Sequence, residues 1–467
     1  MRRTRIVCTL GPSSTQPGVL RRMISAGMDV ARLNFSHGDE ETHRRTVDLV
    51  REAAAATGRY VALMQDLQGP KIRTRALSHP LIRLVRGSTV TLTARDVVGH
   101  ESLVGVDQPV VLQELRVRDR VLLCDGQIEL RVTGCDGTDA ACRVVRGGLL
   151  GERKGVAVPG RPIDLPPFTE KDLRDLRLGA EVGFDYLALS FVRSAADVRA
   201  CRAAMAEVGV FAPVIAKLER AQALVNLSEI IEEVDAVMVA RGDLGVELSI
   251  GEVPAAQKDI IRRANSRGVP VITATEMLES MVTSNRPTRA EASDVANAIW
   301  DGTDAVMLSQ ETSIGAHPTE TVRAMARICL AAERHPAYHR EREGWRAGTV
   351  ASAMAHAAAG VAEEVRARAI IAFTEQGATA LHVSKAHPAV PVVAASPHAR
   401  VLRRTALYSG VVPLQVETGD DTDMMIENAT AAARRSGLVR EGDRVVLVAG
   451  VPVGQPGQTN LVKVGTV

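Results

Sequence analysis

Short apolar segments that each end in a charged or hydroxyl residue recur along the first two thirds of the chain. Most of them are separated by stretches whose apolar residues have helical spacing. Apolar strands that alternate with helices predict a parallel sheet, and a series of eight predicts a closed (β/α)8 barrel, the TIM barrel. The segments are, in order, RIVCTLG, VARLNFSH, VALMQDL, YLALSFV, PVIAKLE, AVMVARGD, PVITATEM and AVMLSQET.

One of the intervening stretches, AQALVNLSEIIEEV, predicts a single helix with one apolar face. That face would carry Leu224, Leu227, Ile231 and Val234. Helices of this kind would cover the outside of the barrel.

The alternation is interrupted between the third and fourth apolar segments. Short Val, Leu, Arg and Thr runs such as HPLIRLVRGSTVTLTA, separated by DG, RG and GG turns, predict a small β-barrel domain inserted in a β-to-α loop. After the eighth segment, HPTETVRAMARICLAAERH predicts a closing helix, and the polar stretch HREREGWRAG predicts a domain boundary. The alternation then restarts, which predicts an α/β domain with a mainly parallel sheet. We expect the barrel at 1–70 and 165–340, the inserted β-domain at 71–164 and the C-terminal domain at 345–467.

The composition disfavours several classes of protein. The 467 residues suffice for about three domains, and 57 basic residues nearly balance 55 acidic ones. A net charge of +2 provides no general positive field, so we expect neither a nucleic-acid partner nor an anionic membrane surface. No apolar run reaches the roughly 18 residues that span a bilayer, and the six cysteines form no CxxC pair. We expect a cytoplasmic protein without signal peptide or membrane anchor.

Polar residues end the predicted barrel strands, at the face where the connecting loops of a barrel converge. They are Arg32, Asn34, Asp66, Ser190, Lys217, Glu219, Arg241, Asp243, Thr275 and Ser309. The carboxylates of Glu219 and Asp243 end adjacent strands, and such a pair suits a hard divalent ion such as Mg²⁺. Lys217 ends an apolar strand, so its ammonium group would be a buried, unpaired charge unless an anion or a carboxylate meets it. The simpler alternatives are that single residues only solvate strand ends, and that Lys217 and Glu219 form a plain ion pair.

Two motifs at these strand ends favour an anion site. In RLNFSHG, the guanidinium of Arg32 can clamp a phosphate or carboxylate with two hydrogen bonds, whereas His37 alternatively caps a turn. In RGDLGVE, the backbone amides of Gly242 and Asp243 can approach an anion closely. An integrin-binding RGD motif needs an exposed loop, whereas this tripeptide ends a buried strand.

From Thr4 to its last residues the chain resembles the pyruvate kinase family. The blocks that carry the resemblance, in order and spacing, are TRIVCTLGPSS, GMDVARLNFSHG, DLQGPKIRT, MVARGDLGVE, TATEMLESM and NRPTRAEASDVANAIWDGTDAVMLSQET. The resemblance implies the reaction of phosphoenolpyruvate with ADP to give pyruvate and ATP. It also implies that the inserted domain closes as a lid, that the C-terminal domain binds effectors, and that the protein is a homotetramer.

The same resemblance implies roles for particular residues. Glu219 and Asp243 are expected to hold Mg²⁺ or Mn²⁺. The residues expected at the substrate are Arg32, Ser190, Lys217, Gly242, Asp243 and Thr275. Among these, Arg32 and Lys217 would neutralise the transferring phosphoryl group. Thr275 would act through water to protonate the enolate carbon, with Lys217 as the alternative proton donor.

Four residues are expected at the nucleotide. They are Asn34, His37, Arg73 and, on the inserted domain, Lys154. A phosphate-binding lysine on a lid fits closure, which excludes water from the reaction. Without the resemblance, Lys154 is simply a solvated charge.

The chain departs from the family pattern at Lys71, where many members have Glu and require K⁺. We expect the ammonium group of Lys71 to replace that ion, so that K⁺ is not required. Asn34, Ser36 and Asp66 would remain as a vestigial or weak K⁺ cage.

Further departures concern other parts of the chain. Glu276 and Gln310 stand where the family more often has Gln and a small residue, and we predict no more than a slight change in substrate affinity. FTEQGAT resembles an effector phosphate loop, with Thr374, Gly377 and Thr379 as donors. Glu375 occupies a position that is basic in members activated by fructose 1,6-bisphosphate. An acid beside a phosphate is repulsive, so we predict a weak or absent response to fructose 1,6-bisphosphate, with AMP or a sugar monophosphate as candidate activators.

Two alternative functions remain open from the sequence. One is another Mg²⁺-dependent barrel enzyme that acts on phosphoenolpyruvate or pyruvate, such as a carbon–carbon lyase, which would not need the inserted domain or Lys154. The other is a catalytically inactive metabolite sensor. The presence of Arg32, Lys217 and Thr275 with both carboxylates disfavours the sensor.

Overall fold

The computed structural model describes residues 1–161, 163–336, 338, 348–417, 419, 422–451 and 459–467. The chain begins with alternating strands and helices, each strand fully or almost fully buried. These elements are β1 (Arg5–Thr9), α1 (Pro17–Ala26), β2 (Val30–Asn34), α2 (Glu40–Thr57) and β3 (Ala62–Asp66). Helix α1 has Pro17 at its first turn and ends at Gly27, whose φ of 124° suits glycine alone.

The segment after β3 forms a separate β-domain with its own apolar core. Its elements are β4 (Leu81–Leu84), β5 (Thr89–Thr93), β6 (Leu103–Gly105), α3 (Pro109–Glu114), β7 (Arg120–Leu123), β8 (Ile128–Cys135), β9 (Asp139–Arg146), β10 (Gly148–Gly151) and β11 (Val156–Ala157). The strands pair in the order β11-β7-β8-β9-β5-β6, with β10 and β4 as a further antiparallel pair. This domain interrupts the barrel between β3 and the next barrel strand.

The chain then returns to the barrel and completes it. The elements are α4 (Glu170–Val182), β12 (Tyr186–Leu189), α5 (Ala195–Glu207), β13 (Val214–Leu218), α6 (Ala221–Val225), α7 (Leu227–Glu233), β14 (Ala236–Ala240), α8 (Arg241–Glu247), α9 (Val253–Ser266), β15 (Val271–Ala274), α10 (Arg289–Trp300), β16 (Ala305–Leu308), α11 (Gln310–Ser313) and α12 (Pro318–Arg334). The strands are hydrogen-bonded in parallel in the closed order β1-β16-β15-β14-β13-β12-β3-β2. The predicted (β/α)8 barrel is therefore confirmed, and each strand lies in one of the apolar segments of the sequence.

The prediction of a single helix in AQALVNLSEIIEEV is wrong, because this stretch forms two helices that are separated at one residue. Asn226 has φ and ψ of −94° and 15° and separates α6 from α7. Its side-chain amide donates a hydrogen bond to the carbonyl of Arg193 at 2.9 Å. Asparagine side chains compete with the helix for backbone groups, and this bond to a neighbouring loop accounts for the break.

The C-terminal domain contains a sheet in the order β19-β18-β17-β20-β21. Its elements are α13 (Val350–Glu364), β17 (Ala369–Phe373), α14 (Ala378–Lys385), β18 (Val392–Ser396), α15 (Ala399–Thr405), β19 (Val411–Gln415), α16 (Thr422–Arg435), β20 (Arg444–Ala449) and β21 (Leu461–Thr466). All neighbours in the sheet are parallel except β20 and β21, which confirms the mainly parallel sheet. The boundary predicted at HREREGWRAG spans residues 339–348, and all of it except Gly348 lies outside the described residues.

A buried ion pair joins the C-terminal domain to the barrel. Lys385, the last residue of α14, donates hydrogen bonds to Asp304 at 2.7 Å and to Asn265 at 2.8 Å. Asp304 precedes β16, so the contact lies at the amino ends of the barrel strands. Across the residues that the structure describes, every helix is too short or too polar to traverse a lipid bilayer.

Candidate active site

A cleft of about 850 Å³ opens at the carboxyl ends of the barrel strands. Most residues predicted at the substrate, the metal and the nucleotide line it. Those in the lining are Arg32, Asn34, His37, Lys217, Glu219, Asp243 and Thr275. The parallel strands bring together side chains that are more than two hundred residues apart in sequence, because all of them end at the same face.

Asp66 links the two cations of the cleft. Its carboxylate accepts a hydrogen bond from Arg32 Nε at 2.5 Å and lies 3.2 Å from Lys217 Nζ. Asp66 is only 1% exposed. Burial alone would raise the pKa of Asp66, but the charges of Arg32 and Lys217 outweigh burial and hold that pKa below its usual value. A single carboxylate therefore stays ionised and fixes both cations.

Lys217 is bound on three sides and still lines the cleft. Besides its contact with Asp66, Nζ donates a hydrogen bond to Ser190 Oγ at 2.7 Å and lies 2.8 Å from Glu219 Oε1. Burial alone would lower the pKa of Lys217, but Asp66 and Glu219 reverse the effect and raise that pKa above its usual value. The predicted ion pair with Glu219 exists, and it belongs to a larger network that keeps the ammonium group charged.

The two carboxylates proposed for a metal ion share this cleft. Burial raises the pKa of Glu219, Lys217 lowers it, and the negative charge of Asp243 raises it again, so the carboxylates are close enough to repel each other. Glu219 Oε2 also accepts a hydrogen bond from the backbone N–H of Phe191 at 2.8 Å. Within the described part of the chain, no group of three His, Cys, Asp or Glu side chains is arranged to hold a metal ion. The carboxylate pair fits Mg²⁺ as an ion that completes its shell with substrate oxygens and water.

Lys71 reaches the same region from the segment that leads to the inserted domain. Its Nζ lies 3.3 Å from Asp243 Oδ1 and 3.9 Å from Asp125 Oδ1. Two of the residues predicted as a K⁺ cage contact each other, since Asn34 Oδ1 accepts a hydrogen bond from the backbone N–H of Ser36 at 3.1 Å. The third member of that cage, Asp66, contacts Arg32 and Lys217.

Thr275 follows β15 in an unusual backbone conformation, with φ of 69°. Its hydroxyl accepts a hydrogen bond from the backbone N–H of Gly242 at 2.8 Å and donates one to the carbonyl of Ala274 at 2.6 Å. Glu276 also has a positive φ, 54°, and is exposed. Gln310 lines the cleft.

The structure brings the predicted nucleotide residues only partly together. His37 lines the cleft, and its pKa is lowered by burial and then by the positive charges of Arg73, Arg32 and Lys71. Arg73 donates a hydrogen bond to the carbonyl of Arg153 at 3.1 Å. Lys154 lies beside Gly151 on the inserted domain and is not part of the cleft lining.

The predicted effector loop lies in the C-terminal domain, at the start of α14. The backbone N–H of Gly377 donates to Thr374 Oγ1 at 2.8 Å, and Thr379 Oγ1 lies 3.2 Å from Thr459 Oγ1. Glu375 lies 3.0 Å from the ring nitrogen Nε2 of His398. These predicted donors therefore already have partners inside the domain.

Sequence reasoning missed two contributors to the cleft. Thr9 Oγ1 accepts a hydrogen bond from Arg32 Nη1 at 2.7 Å and donates one to the carbonyl of Leu308 at 2.9 Å. A signal existed, since Thr9 ends the first apolar segment as Arg32 and Asn34 end the second. Phe191 contributes only its backbone N–H, held at a φ of 56°, and no sequence pattern marks that role.

Comparison with known proteins extends over the whole molecule. The family description "Pyruvate kinase, barrel domain" matches residues 1–322, and "Pyruvate kinase, alpha/beta domain" matches residues 352–465. A pyruvate kinase of Geobacillus stearothermophilus is 44% identical over 469 residues, which covers 99% of this chain and 80% of the relative. A pyruvate kinase of Corynebacterium glutamicum is 44% identical over 99% of this chain and 97% of the relative. The crystal structure of a pyruvate kinase from Cryptosporidium parvum superposes with a TM-score of 0.92 at 36% identity and covers 100% of this chain and 96% of that one.

The family models cover the barrel and the C-terminal domain, and relatives that match 99% of this chain are named pyruvate kinases, which are phosphotransferases. The class of protein is therefore a phosphotransferase built on a (β/α)8 barrel. More particularly, the chain belongs to the pyruvate kinase family.

Proposed function

We propose that this protein transfers the phosphoryl group of phosphoenolpyruvate to ADP and so forms pyruvate and ATP. The observation that carries the proposal is the pair of cations, Arg32 and Lys217, fixed by the shared carboxylate of Asp66 on the wall of one cleft. Phosphoryl transfer depends mainly on positioning and on positive charge around the moving group. In this proposal the guanidinium of Arg32 grips the phosphoryl oxygens and the ammonium group of Lys217 stabilises the enolate oxygen that is left behind.

Glu219 and Asp243 would hold a Mg²⁺ or Mn²⁺ ion beside these cations. Such an ion, when bound, neutralises charge on the phosphoryl and carboxylate oxygens of the substrate. The chain's own part is to fix the two carboxylates: the backbone N–H of Phe191 and Lys217 orient Glu219, and α8 presents Asp243 at its first turn. The backbone N–H of Asp243 would face the substrate carboxylate, whereas that of Gly242 would have to give up its hydrogen bond to the Thr275 hydroxyl to do the same.

The enolate must then be protonated at carbon. The raised pKa of Lys217 supports a role in holding negative charge rather than in giving up a proton. Thr275 is the better candidate, and its hydroxyl would orient a water molecule that delivers the proton to the carbon. Ser190 would hold the ammonium group of Lys217 in place through its 2.7 Å hydrogen bond.

The nucleotide would bind beside Asn34 and His37, which line the cleft, with Arg73 close enough to lower the pKa of His37. The lowered pKa of His37 keeps that ring neutral at pH 7, so it can donate or accept a single hydrogen bond there. Lys154 would join the nucleotide phosphates when the inserted domain closes over the cleft. A closed lid would also keep water from accepting the phosphoryl group.

K⁺ independence is part of the proposal. The ammonium group of Lys71, 3.3 Å from Asp243, supplies a fixed positive charge near the proposed metal and substrate. Activity in K⁺ should therefore equal activity in tetramethylammonium, a cation too large for a K⁺ cage. Lys71→Glu should create a K⁺ requirement, whereas Lys463→Glu, on the exposed edge strand β21, should not. A wild-type enzyme that loses most of its activity without K⁺ would contradict this part.

The C-terminal domain is proposed to bind an effector phosphate at Thr374, Gly377 and Thr379. Glu375 and its contact with His398 support a preference for AMP or a sugar monophosphate over fructose 1,6-bisphosphate. The test is titration of each compound at sub-saturating phosphoenolpyruvate.

The decisive experiment is an assay of pyruvate and ATP formation from phosphoenolpyruvate, ADP and Mg²⁺. Equal amounts of both products are expected, with no reaction after chelation of the metal. Pyruvate formed without ADP, or carbon–carbon bond cleavage in its place, would favour another phosphoenolpyruvate or pyruvate enzyme. Binding without turnover would favour a sensor.

A further inference from the structure

The loop after β15 holds two consecutive residues other than glycine in the left-handed region. Thr275 has φ of 69° and Glu276 has φ of 54°. Such conformations are costly for residues with a Cβ, and they persist only where the surroundings enforce them. A neighbouring group must therefore hold this turn, and the turn sets the direction of the Thr275 hydroxyl.

The holding group is Arg241, the arginine of the RGD motif. Its Nη2 donates hydrogen bonds to the carbonyl of Thr275 at 2.7 Å and to the carbonyl of Glu276 at 3.2 Å, and Nε also donates to the Thr275 carbonyl at 3.2 Å. One planar guanidinium thus binds the carbonyls of both left-handed residues. Arg241 is 9% exposed, so water does not replace these bonds.

Arg241 is itself fixed from the opposite side. Its Nη1 donates to both carboxylate oxygens of Asp294, at 2.7 and 2.9 Å, and lies 3.4 Å from Gln257 Oε1. Asp294 belongs to α10 and Gln257 to α9, so two outer helices of the barrel hold the arginine. Arginine alone offers a rigid fork of donors that serves carbonyls on one edge and a carboxylate on the other.

A second contact ties the same unit to the reacting groups. The residue after Arg241, Gly242, donates its backbone N–H to the Thr275 hydroxyl at 2.8 Å. The arginine therefore fixes the backbone of Thr275 while its neighbour fixes the side chain. Neither contact involves a group proposed to touch the phosphate or the metal ion.

We propose that Arg241, held by Asp294, is a positioning residue that aims the Thr275 hydroxyl for proton transfer to the enolate carbon. This inference rests on the proposed function, because it needs a carbon to be protonated in the cleft. It assigns the RGD arginine a role in the second half of the reaction, in which the carbon–hydrogen bond of pyruvate forms, and none in breaking the phosphorus–oxygen bond.

The test is exchange of the methyl hydrogens of pyruvate for deuterium in D₂O, followed by NMR with Mg²⁺ and ATP present. Exchange breaks and remakes the carbon–hydrogen bond through the enolate, so it reports proton transfer alone. Arg241→Lys should slow exchange by about 10- to 100-fold, the effect of misplacing a reacting group by roughly 1 Å. kcat for pyruvate formation should fall similarly, with a much smaller change in KM for phosphoenolpyruvate.

Arg5→Lys is the matched control. Arg5 is 6% exposed and donates to the backbone carbonyls of Tyr408 and Val411, next to the carboxylate of Asp29, at the opposite end of the barrel. The Arg5→Lys variant loses guanidinium hydrogen bonds to backbone carbonyls, as Arg241→Lys does, but far from the cleft. It should therefore lower thermal stability without slowing the exchange of the pyruvate methyl hydrogens. Asp294→Asn, at a more exposed position than Arg241, tests the same idea if Arg241→Lys folds poorly, and it should slow exchange in the same direction.

A double-mutant comparison separates positioning from general damage. If Arg241 acts through Thr275, Arg241→Lys in a Thr275→Ala background should slow exchange no further than Thr275→Ala alone. Three results would overturn the inference. The first is a double variant whose loss of exchange is the product of the two single losses. The others are wild-type exchange in both Arg241→Lys and Asp294→Asn, and a loss in Arg5→Lys equal to that in Arg241→Lys. A wild-type protein that forms no pyruvate from phosphoenolpyruvate and ADP would instead refute the proposed function, and with it the role of Thr275.

Discussion

Asp66→Asn is the sharpest perturbation of the cleft. It replaces one carboxylate oxygen with an NH₂ group and so removes the negative charge that Arg32 and Lys217 share. The variant keeps the shape of the side chain and removes its charge. In the wild-type structure the carboxylate of Asp66 lies 2.5 Å from Arg32 Nε, 3.2 Å from Lys217 Nζ and 3.4 Å from Ser190 Oγ. An asparagine retains one acceptor oxygen, and its NH₂ group would face a cation in place of the other.

The size of the effect follows from burial. Removing one partner of a buried ion pair costs about 3 to 5 kcal/mol, because the remaining charge has no counter-ion. Here one carboxylate serves two cations, but Lys217 keeps Glu219, and asparagine keeps an acceptor. The lower end, about 3 kcal/mol of folding stability at pH 7, is therefore expected. Turnover should fall by about 100-fold or more, since both Arg32 and Lys217 lose their orientation.

The pH dependence of this loss has a defined sign. The pKa of Asp66 is lower in the folded protein than its ordinary value, so its charge stabilises the fold at pH values above that ordinary value. That contribution disappears as the pH falls through the folded pKa. The difference in stability between wild type and Asp66→Asn should thus be constant from about pH 5 to 8 and shrink in more acidic solution.

Asp185→Asn provides the control. Asp185 is fully buried, accepts hydrogen bonds from the backbone N–H of Leu63 at 2.9 Å and from Arg51 at 3.2 Å, and pairs with Arg403 at 2.9 Å, all away from the cleft. Urea unfolding followed by circular dichroism should give similar decreases in midpoint for both variants, while only Asp66→Asn loses turnover. Wild-type turnover in Asp66→Asn, or an equal loss of turnover in Asp185→Asn, would refute the reasoning.

Two further predictions concern single contacts. Thr9→Val removes the hydroxyl that accepts from Arg32 Nη1 at 2.7 Å, and the unpaired guanidinium N–H should cost about 1 to 3 kcal/mol. We expect kcat of Thr9→Val to fall by about tenfold, and of Thr9→Ser, which keeps the hydroxyl, to stay near the wild-type value. Steady-state kinetics measures both, and equal kcat values for the two variants would contradict the prediction. Lys385→Met leaves the buried Asp304 without its cation and should cost about 3 to 5 kcal/mol. Calorimetry should show a clear fall in Tm, and an unchanged Tm would show that the pair does not stabilise the domain contact.

The barrel could be predicted from the sequence because its signal is local. Each strand is an apolar run of four or five residues, buried on both faces, and the ends of these runs supply the polar residues of the cleft. That is why the sequence alone sufficed to propose Lys217, Glu219 and Asp243 as neighbours in one site. The break at Asn226 was missed because it depends on a bond to Arg193, which belongs to a different loop.

The interactions that position these groups could not be predicted in the same way. Phe191 contributes only a backbone N–H. The direction of the Thr275 hydroxyl depends on a left-handed turn that is bound by Arg241, 34 residues earlier in the sequence, and Arg241 is in turn bound by Asp294, 19 residues after Thr275. A single sequence lists donors and acceptors but not their pairing. The pairing of Asp66 with both Arg32 and Lys217 is likewise a property of the folded cleft.

The contact between the C-terminal domain and the barrel has a consequence for the cleft that follows from geometry. Helix α14 begins beside the proposed effector loop at Gly377 and ends at Lys385, which binds Asp304. The same carboxylate oxygen of Asp304 accepts a hydrogen bond from the backbone N–H of Val271 at 2.8 Å, and Val271 is the first residue of β15. Because β15 is a buried four-residue strand that ends next to Thr275, one helix and one strand connect the two sites. Lys385→Met breaks this connection, so the variant tests whether binding of the proposed effector changes turnover through α14 and β15.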